Sequence, residues 1–327
     1  MNVAKLAAIC TLSIVQFPVS AIAAPSVPGF DVVLYASGLN RPGKMVFDAV
    51  GNLYLGGGAE ETGLHPIQRV GPGGSPVGQY GVSQLADPDS VEFDVTGGIS
   101  GTPGAVLVSG GAGPGGTLYA IFPNESVGTV WQNGPVVNMN EIRFDSTGRL
   151  WVAGLDGKLG FSTGGLPTVV VSLSSPITTF AFDSADRIFT LSDDGHIRIF
   201  LQDGTLVDNA FATGVGAPRG KQFQFGPGGV WGSDLYLAFS GDLVKFDSLG
   251  NSTVVGTAFQ STITFGLDGA LYSSDSFTGE VYRITPQPPV IPEPSALISA
   301  LVALLLLTCH RTRRATFGRR QGTDFHS

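Results

Sequence analysis

The stretch LNRPGKMVFDAVGNLY, residues 39–54, contains the pattern that decides the fold. The motif begins with an apolar residue, then any residue, then phenylalanine and aspartate. A turn and a second short apolar segment follow. The marker phenylalanine is Phe47 and the turn glycine is Gly51. Alternating apolar residues on both sides of an Asp/Gly turn indicate two short antiparallel strands.

The same unit returns five more times along the chain. The marker phenylalanines are Phe47, Phe93, Phe144, Phe182, Phe225 and Phe265, at spacings of 46, 51, 38, 43 and 40 residues. A period of about 44 residues suits one four-stranded propeller blade per repeat. A helical solenoid of this period would need amphipathic runs of ten or more residues, and the sequence has none. We therefore predict an all-β, six-bladed β-propeller over residues 24–286.

The strand before each marker has the same phase in every repeat. Two residues before the marker stand apolar residues: Met45, Val91, Ile142, Phe180, Phe223 and Ile263. Three residues before it stand polar ones: Lys44, Ser90, Glu141, Thr179, Gln222 and Thr262. This alternation predicts that one face of each inner strand packs against the neighbouring blade.

The sixth repeat lacks a fourth strand, because Pro286, Pro288 and Pro289 cannot join a ladder. A spare strand, residues 31–36, precedes the first repeat. We predict that it completes the sixth blade and leaves no open sheet edge.

Both ends of the chain look like targeting segments. Lys5, an apolar run and a small-x-small site ending at Ala23 predict a signal peptide over residues 1–23. Near the other end, residues 296–309 are apolar, and as a helix they would rise about 21 Å against a hydrocarbon core of ~30 Å. Arginines 311, 313, 314, 319 and 320 follow and would stay on the cytoplasmic side. This predicts a short C-terminal membrane helix.

Removing both ends leaves 12 basic and 24 acidic residues, a net charge of −12. Such a surface repels phosphate backbones, so nucleic acid is not expected as a partner. Both cysteines lie outside the trimmed domain, which therefore contains no disulfide.

Residues 39–54 resemble an NHL-type repeat, a group that includes six-bladed propellers such as regucalcin and gluconolactonase-like proteins. The resemblance supports the fold and says little about activity, since propellers host unrelated functions. Gluconolactonase-like propellers hold a divalent metal with Asn, Asp and Glu side chains, but their early Glu motif is replaced here by Asn40-Arg41-Pro42.

The C-terminal region resembles a PEP-CTERM sorting signal. Its motif is Pro292-Glu293-Pro294, followed by the apolar run and by Arg311, Arg313 and Arg314. The resemblance implies a Pro-rich linker over 287–291, a sorting signal with a short membrane helix over 292–314, and a basic, polar tail over 315–327. It also implies processing by an exosortase-like membrane enzyme, in bacteria that make extracellular polysaccharide or biofilm matrix. The protein would be exported, transiently anchored, and then at the cell surface or extracellular. A simple tail anchor is the alternative.

Propeller ligands usually bind at the end of the channel where the inner strands begin. Polar residues expected there are Asn40, Lys44, Asp87, Asp89, Asn138, Asn140, Glu141 and Lys221. The side-chain oxygen atoms of the Asn, Asp and Glu residues among them could bind Ca²⁺, which takes six to eight such ligands, although a solvated channel mouth is the favoured interpretation. Asp193-Asp194-Gly195 is better explained as a turn than as a calcium loop.

No catalytic residue set stands out in the sequence. Antibiotic lyases on related propellers need a catalytic histidine, for which His65 is a weak candidate and His196 the other histidine of the domain. Serine-hydrolase and metalloprotease motifs do not occur. The main hypothesis is a non-catalytic surface or matrix protein without a cofactor, whose propeller binds a ligand, with extracellular polysaccharide as a possible partner. The alternative is a Ca-dependent lactonase or lyase with its site at the channel mouth.

Overall fold

The structure is a computed structural model that describes residues 23–57, 64–81, 83–85, 87–111, 115–216, 222–289 and 299–306. Clustering of contacts divides the chain into two compact units, one through Pro286 and one from Gln287 onwards. The predicted signal peptide, except for Ala23, the predicted sorting motif and the arginine cluster lie outside the described residues.

The described residues form six four-stranded antiparallel sheets, as predicted. Blades 1 and 2 contain β2 (Pro42–Phe47), β3 (Leu53–Gly57), β4 (Ile67–Val70), β5 (Pro76–Tyr80), β6 (Pro88–Asp94), β7 (Ala105–Gly110), β8 (Gly116–Ile121) and β9 (Val127–Gly134). Blades 3 and 4 contain β10 (Met139–Phe144), β11 (Leu150–Gly154), β12 (Lys158–Ser162), β13 (Thr168–Ser172), β14 (Ile177–Phe182), β15 (Ile188–Ser192), β16 (Ile197–Phe200) and β17 (Leu206–Ala212). Blade 5 contains β18 (Phe223–Phe225), a short 3-10 helix (Gly229–Trp231), β19 (Leu235–Phe239), β20 (Gly241–Phe246) and β21 (Ser252–Phe259). Blade 6 contains β22 (Ile263–Phe265), β23 (Leu271–Asp275), β24 (Glu280–Pro286) and the N-terminal β1 (Phe30–Ala36).

The ring closes through β1, which confirms the prediction from the spare N-terminal segment. It pairs antiparallel with β24, from Phe30 opposite Pro286 to Ala36 opposite Val281. The two ends of the propeller therefore share one sheet, and β1 covers the edge that β24 would otherwise leave open.

Six apolar clusters hold the blades together, one for each pair of neighbouring blades. Each cluster includes one of the six marker phenylalanines as a partly buried residue. The apolar residues two positions earlier are all 1% exposed or less. The repeat of the marker thus reflects one contact, made six times between adjacent sheets.

The aspartate after the marker closes the turn between the first and second strands of a blade. In blade 1, Asp48 Oδ1 accepts the backbone N–H of Val50 at 3.0 Å and of Asn52 at 2.8 Å. In blade 3, Asp145 Oδ1 accepts the N–H of Thr147 at 2.9 Å. This side-chain bond replaces backbone pairing that the tight turn cannot provide.

Residues 299–306 are helical, within the apolar run predicted to enter a membrane. Among the helices of the described residues, none is long and apolar enough to span a bilayer. The rest of the predicted membrane helix falls outside the described residues.

We predict that deleting residues 24–37 abolishes cooperative thermal unfolding, because blade 6 would lose β1 and β24 would become an open edge. Circular dichroism melting measures this. Deletion of residues 315–327 is the control and should leave the transition unchanged. An unaltered melting curve without β1 would contradict closure by this strand.

Candidate functional site

The six polar positions that precede the marker phenylalanines meet around the channel axis. They are all buried, with exposures of 0 to 4%: Lys44, Ser90, Glu141, Thr179, Gln222 and Thr262. Equivalent residues of different blades are hydrogen-bonded to one another here. The six inner strands therefore run in the same direction along the channel axis. We call this layer the polar ring.

Glu141 is the centre of the polar ring. Its Oε2 lies 3.1 Å from Lys44 Nζ and accepts the Thr179 hydroxyl at 2.8 Å. Its Oε1 accepts the Ser90 hydroxyl at 3.2 Å and lies 3.5 Å from Arg143 Nε. A buried carboxylate with partners on both oxygens is stable in this position, because its charge is paired and its lone pairs are used.

Lys44 is the cation that balances Glu141. Its ammonium group also donates to the backbone oxygen of Asn140. Burial lowers the pKa of Lys44, while the charges of Glu141 and Asp89 oppose that shift. The ammonium group thus depends on these carboxylates for its stability.

Backbone groups complete the ring on its other side. Gln222 exchanges hydrogen bonds with the backbone N–H and carbonyl of Met45, both at 3.4 Å. Thr262 donates to the Gly43 carbonyl at 2.7 Å. Blade 1 is therefore tied to blades 3, 5 and 6 near the axis, across distances in sequence of up to 219 residues.

A second charged pair lies one step further along the inner strands, at Glu92 and Arg143. Arg143 Nη2 donates to the Phe223 carbonyl at 2.5 Å. Burial raises the pKa of Glu92 to about 7, although a hydrogen bond from the Phe93 backbone and the charge of Arg143 lower it. The axis therefore carries several charges in addition to the ring.

Two carboxyl groups, Asp87 and Asp89, lie on the side of the polar ring away from Glu92 and Arg143, at the end of the channel where β6 begins. Both are half-buried, and both Oδ2 atoms would overlap a Cβ atom placed on Gly111. They therefore lie within about 5 Å of each other. The backbone N–H of Gly111, the residue after β7, donates to the Asp87 carbonyl at 2.7 Å and so holds Gly111 against this pair.

Burial raises the pKa values of both carboxyl groups above the usual value for aspartate. Burial raises the pKa of Asp89 to about 7; the charge of Asp87 adds to the shift and that of Lys44 opposes it. Burial also raises the pKa of Asp87, against the charge of His65. A carboxyl group that titrates near neutral pH can accept a proton from a substrate and return it.

The backbone at this end of the channel is strained at equivalent places in three blades. Arg41, Asp87 and Asn138 immediately precede inner strands β2, β6 and β10 and have φ values of 43°, 50° and 50°. Left-handed non-glycine residues cost of order 1–3 kcal/mol and are common at functional sites. Two of these three, Asp87 and Asn138, are among the residues predicted for the site.

The structure brings only some of the predicted site residues together. Lys44, Asp87, Asp89 and Glu141 interact electrostatically, as the pKa shifts of Lys44 and Asp89 show. Asn40 is exposed, and its backbone exchanges hydrogen bonds with the Gln68 side chain at 2.6 and 2.7 Å. Lys221 lies outside the described residues.

The expectation of a solvated mouth is wrong for three residues, Lys44, Asn140 and Glu141. They are 1%, 3% and 0% exposed, since their polar groups bond to other inner strands rather than to water. Asn140 donates to the Thr178 carbonyl. Asn138 is half-buried, and its carbonyl accepts the Leu155 N–H at 3.0 Å.

Other sequence predictions concern the loops at the same end. Asp193-Asp194-Gly195 is a turn, as predicted: the Gly195 N–H donates to the Ser192 carbonyl at 2.9 Å, and Arg198 binds Asp194 at 2.5 Å. His65 lies next to Leu85, which precedes β6, and the backbone N–H of His65 donates to the Leu85 carbonyl at 3.2 Å.

Among the described residues, the side chains expected to bind calcium are not grouped as a metal site. Asp87 and Asp89 supply suitable oxygens, but Ca²⁺ takes six to eight ligands. Glu141 has both oxygens committed to Lys44, Ser90, Thr179 and Arg143. In the described part of the chain, no three His, Cys, Asp or Glu side chains are grouped for a metal.

Comparisons with known proteins place this fold among enzymes and binding proteins. No protein-family profile and no curated protein sequence matches the chain. A virginiamycin B lyase from Staphylococcus aureus matches at 11% identity and TM-score 0.55, over 78% of this chain and 99% of that one. An aldose sugar dehydrogenase from Streptomyces coelicolor, in its PQQ-bound form, matches at 13% and 0.57, over 80% and 99%. An auxiliary nutrient binding protein from Bacteroides ovatus matches at 13% and 0.60, over 80% and 77%. At these identities the likeness is one of fold alone.

We predict that Lys44→Met and Glu141→Gln each destabilise the protein by about 3–5 kcal/mol, because each breaks the buried ion pair at 3.1 Å and leaves the other charge without its closest ionic partner. The double variant should recover much of that loss. Urea unfolding at pH 7 measures the coupling in a double-mutant cycle.

The control cycle is Lys245→Met with Asp234→Asn, a pair at 3.0 Å whose side chains are 33% and 31% exposed. Its coupling should stay below about 1 kcal/mol. Equal coupling in the two cycles would mean that the axial pair has no special role.

Proposed function

We propose that the propeller is an enzyme of the lactonase or lyase type, with its site at the channel mouth. The observation that carries the proposal is the carboxyl pair Asp87 and Asp89, in which Asp89 has a pKa of about 7. In this proposal Asp89 is the general base; burial raises its pKa, the charge of Asp87 adds to that shift, and the charge of Lys44 opposes it. The presence of lyases and sugar dehydrogenases among proteins of the same fold supports this alternative over a non-catalytic binding module.

The reaction needs little beyond proton transfer and positioning. Lactone hydrolysis requires a base that activates water, and a lyase requires a base that removes a proton from carbon. A carboxylate in a half-buried site serves either step near neutral pH. Since the predicted calcium ligands do not assemble among the described residues, no step of this proposal uses a metal.

We predict that Asp89→Asn lowers kcat/KM by about 10²–10⁴-fold, because this variant cannot accept a proton. The assay is ring opening of a panel of aldonolactones and streptogramin B-type cyclic depsipeptides. In the wild type, kcat/KM should rise with pH through about 7, as Asp89 loses its proton. Asp31→Asn, in exposed β1, is the control and should retain full activity.

The stability of Asp89→Asn separates loss of the base from loss of the fold. The folded-state pKa lies above the ordinary value of 3.8, so wild-type stability falls as the pH rises from about 4 to about 7. The variant lacks this cost and should melt at an equal or higher temperature at pH 8. Full activity in Asp89→Asn, with any substrate that the wild type opens, would disprove the assignment.

We also propose, from the sequence of the tail, that the protein is exported across the inner membrane and transiently membrane-anchored. An exosortase-like enzyme would then process the tail near Pro292-Glu293-Pro294 and release the propeller to the cell surface or medium. Extracellular polysaccharide is a candidate partner in that location.

We predict that mass spectrometry of the secreted protein shows a C-terminus close to Pro294 and an N-terminus close to Ala24. Arg311, Arg313 and Arg314 should be missing from secreted material and present in the membrane fraction. A secreted form that ends at Ser327 would contradict processing.

A further inference from the structure

Large aliphatic side chains are exposed on the connections at one end of the propeller. Four lie between the first and second strands of a blade and three between the third and fourth: Val50, Val95, Val230, Leu267, Leu166, Leu201 and Leu249. They are between 41% and 79% exposed. We call the surface formed by these seven residues the turn face.

The seven residues belong to one end of the molecule. The inner strands all run in the same direction along the channel axis, and they begin at the end that carries Asp87 and Asp89. Every connection from a first to a second strand therefore lies at the other end. In an antiparallel blade, the connection from the third to the fourth strand returns to that same end. The turn face is therefore opposite the channel mouth.

The turn chemistry directs aliphatic side chains outwards. Asp48 accepts the N–H of Val50 at 3.0 Å, and Asp247 accepts the N–H of Leu249 at 2.9 Å. Each aspartate uses its oxygens within its own turn, so the aliphatic residue two positions later stands at the tip. Val50 is 74% exposed and Leu249 is 79% exposed. All six blades contribute at least one of the seven side chains, so exposed aliphatic groups recur around the whole turn face.

The path of the chain indicates what this surface meets. Strand β24 is the third strand of blade 6, so Pro286 lies at the same end as the turn face. Residues 287–298 follow, and twelve extended residues span at most about 42 Å. Beyond them, residues 299–306 are helical and expose Leu301, Leu304 and Leu306 by 63 to 66%. The segment that carries this apolar run thus leaves the propeller at its turn face.

We propose that the turn face docks on a lipid bilayer while the tail anchors the protein, which leaves the channel mouth facing away from the membrane. This rests on the proposed membrane role of the tail. The contact would be made by aliphatic groups. The turn aspartates accept hydrogen bonds from their own backbone N–H groups, and the arginines beside these turns, Arg149, Arg187 and Arg283, are paired with aspartates. Docking should therefore occur on zwitterionic bilayers and persist at high salt.

The test places a fluorescent NBD label at a single cysteine in the full chain. Cys10→Ser and Cys309→Ser remove the native thiols, and Leu249→Cys or Phe277→Cys introduces the label. Phe277 is 70% exposed on the loop between β23 and β24, at the mouth end, and is the matched position. The chain is reconstituted into phosphatidylcholine vesicles whose acyl chains are brominated, and only labels close to those chains are quenched.

We predict about twofold quenching at position 249 and none at position 277, since docked apolar groups reach ~5–10 Å into the interface. Val50→Asp, Val95→Asp and Leu166→Asp together should abolish quenching at 249. The matched set Val77→Asp, Val207→Asp and Val254→Asp changes aliphatic residues on outer strands that are 49 to 55% exposed, and it should leave quenching intact.

Each other outcome overturns the proposal in a distinct way. A chain that floats with the vesicles but shows no quenching at 249 would refute docking and leave the anchor standing. A chain that does not float would refute the anchor and the docking together. Burial of the label at 249 without vesicles would identify a second copy of the chain as the partner. Lactone or depsipeptide opening is measured separately and does not depend on these results.

Discussion

The propeller depends on one constraint: six inner strands converge on an axis where their polar side chains have no access to water. The polar ring satisfies this constraint through Glu141, which binds Lys44 from blade 1, Ser90 from blade 2 and Thr179 from blade 4. A carboxylate can accept several hydrogen bonds at once, so one residue can join four blades. Blades 5 and 6 contribute neutral side chains to the polar ring, Gln222 and Thr262, because the one cation of the ring, Lys44, is already paired with Glu141. The charge layout of the axis follows from that division.

The same layout explains the chemistry at the mouth. The main charge partner of Lys44 is Glu141. The charge of Lys44 therefore lowers the pKa of Asp89 by less than burial and the charge of Asp87 raise it. The polar ring thus has two effects: it holds the blades together, and it leaves a half-buried carboxyl that can exchange protons near neutral pH. The proposed reaction relies on the second effect.

The sequence predicted the blades, the closure by β1 and the apolar contact faces, because each of these depends on local patterns that repeat. The polar phase of the inner strands was visible too, but alternation along one strand implies only that apolar and polar residues lie on opposite faces. It cannot show that Lys44 reaches a residue 97 positions away, or that Gly111 lies against Asp87 and Asp89. Such contacts depend on how six separate sheets meet. The turn role of Asp48 and Asp145, in contrast, follows from ordinary Asp-turn chemistry and could have been predicted.

The two ends of the propeller differ because the strand connections at each end do different work. At the turn face, the aspartates are bound to their own turns; at Asp145 and Asp268, hydrogen bonds outweigh burial and hold the pKa below its usual value. At the mouth, burial raises the pKa values of Asp87 and Asp89, and the charge of Asp87 adds to the shift at Asp89. Asp87 and Asp89 are therefore the carboxyl groups that the proposed reaction uses, whereas the aspartates of the turns are structural. That polarity requires the mouth to stay open to substrate, and a chain whose C-terminal segment leaves from the opposite end meets this requirement.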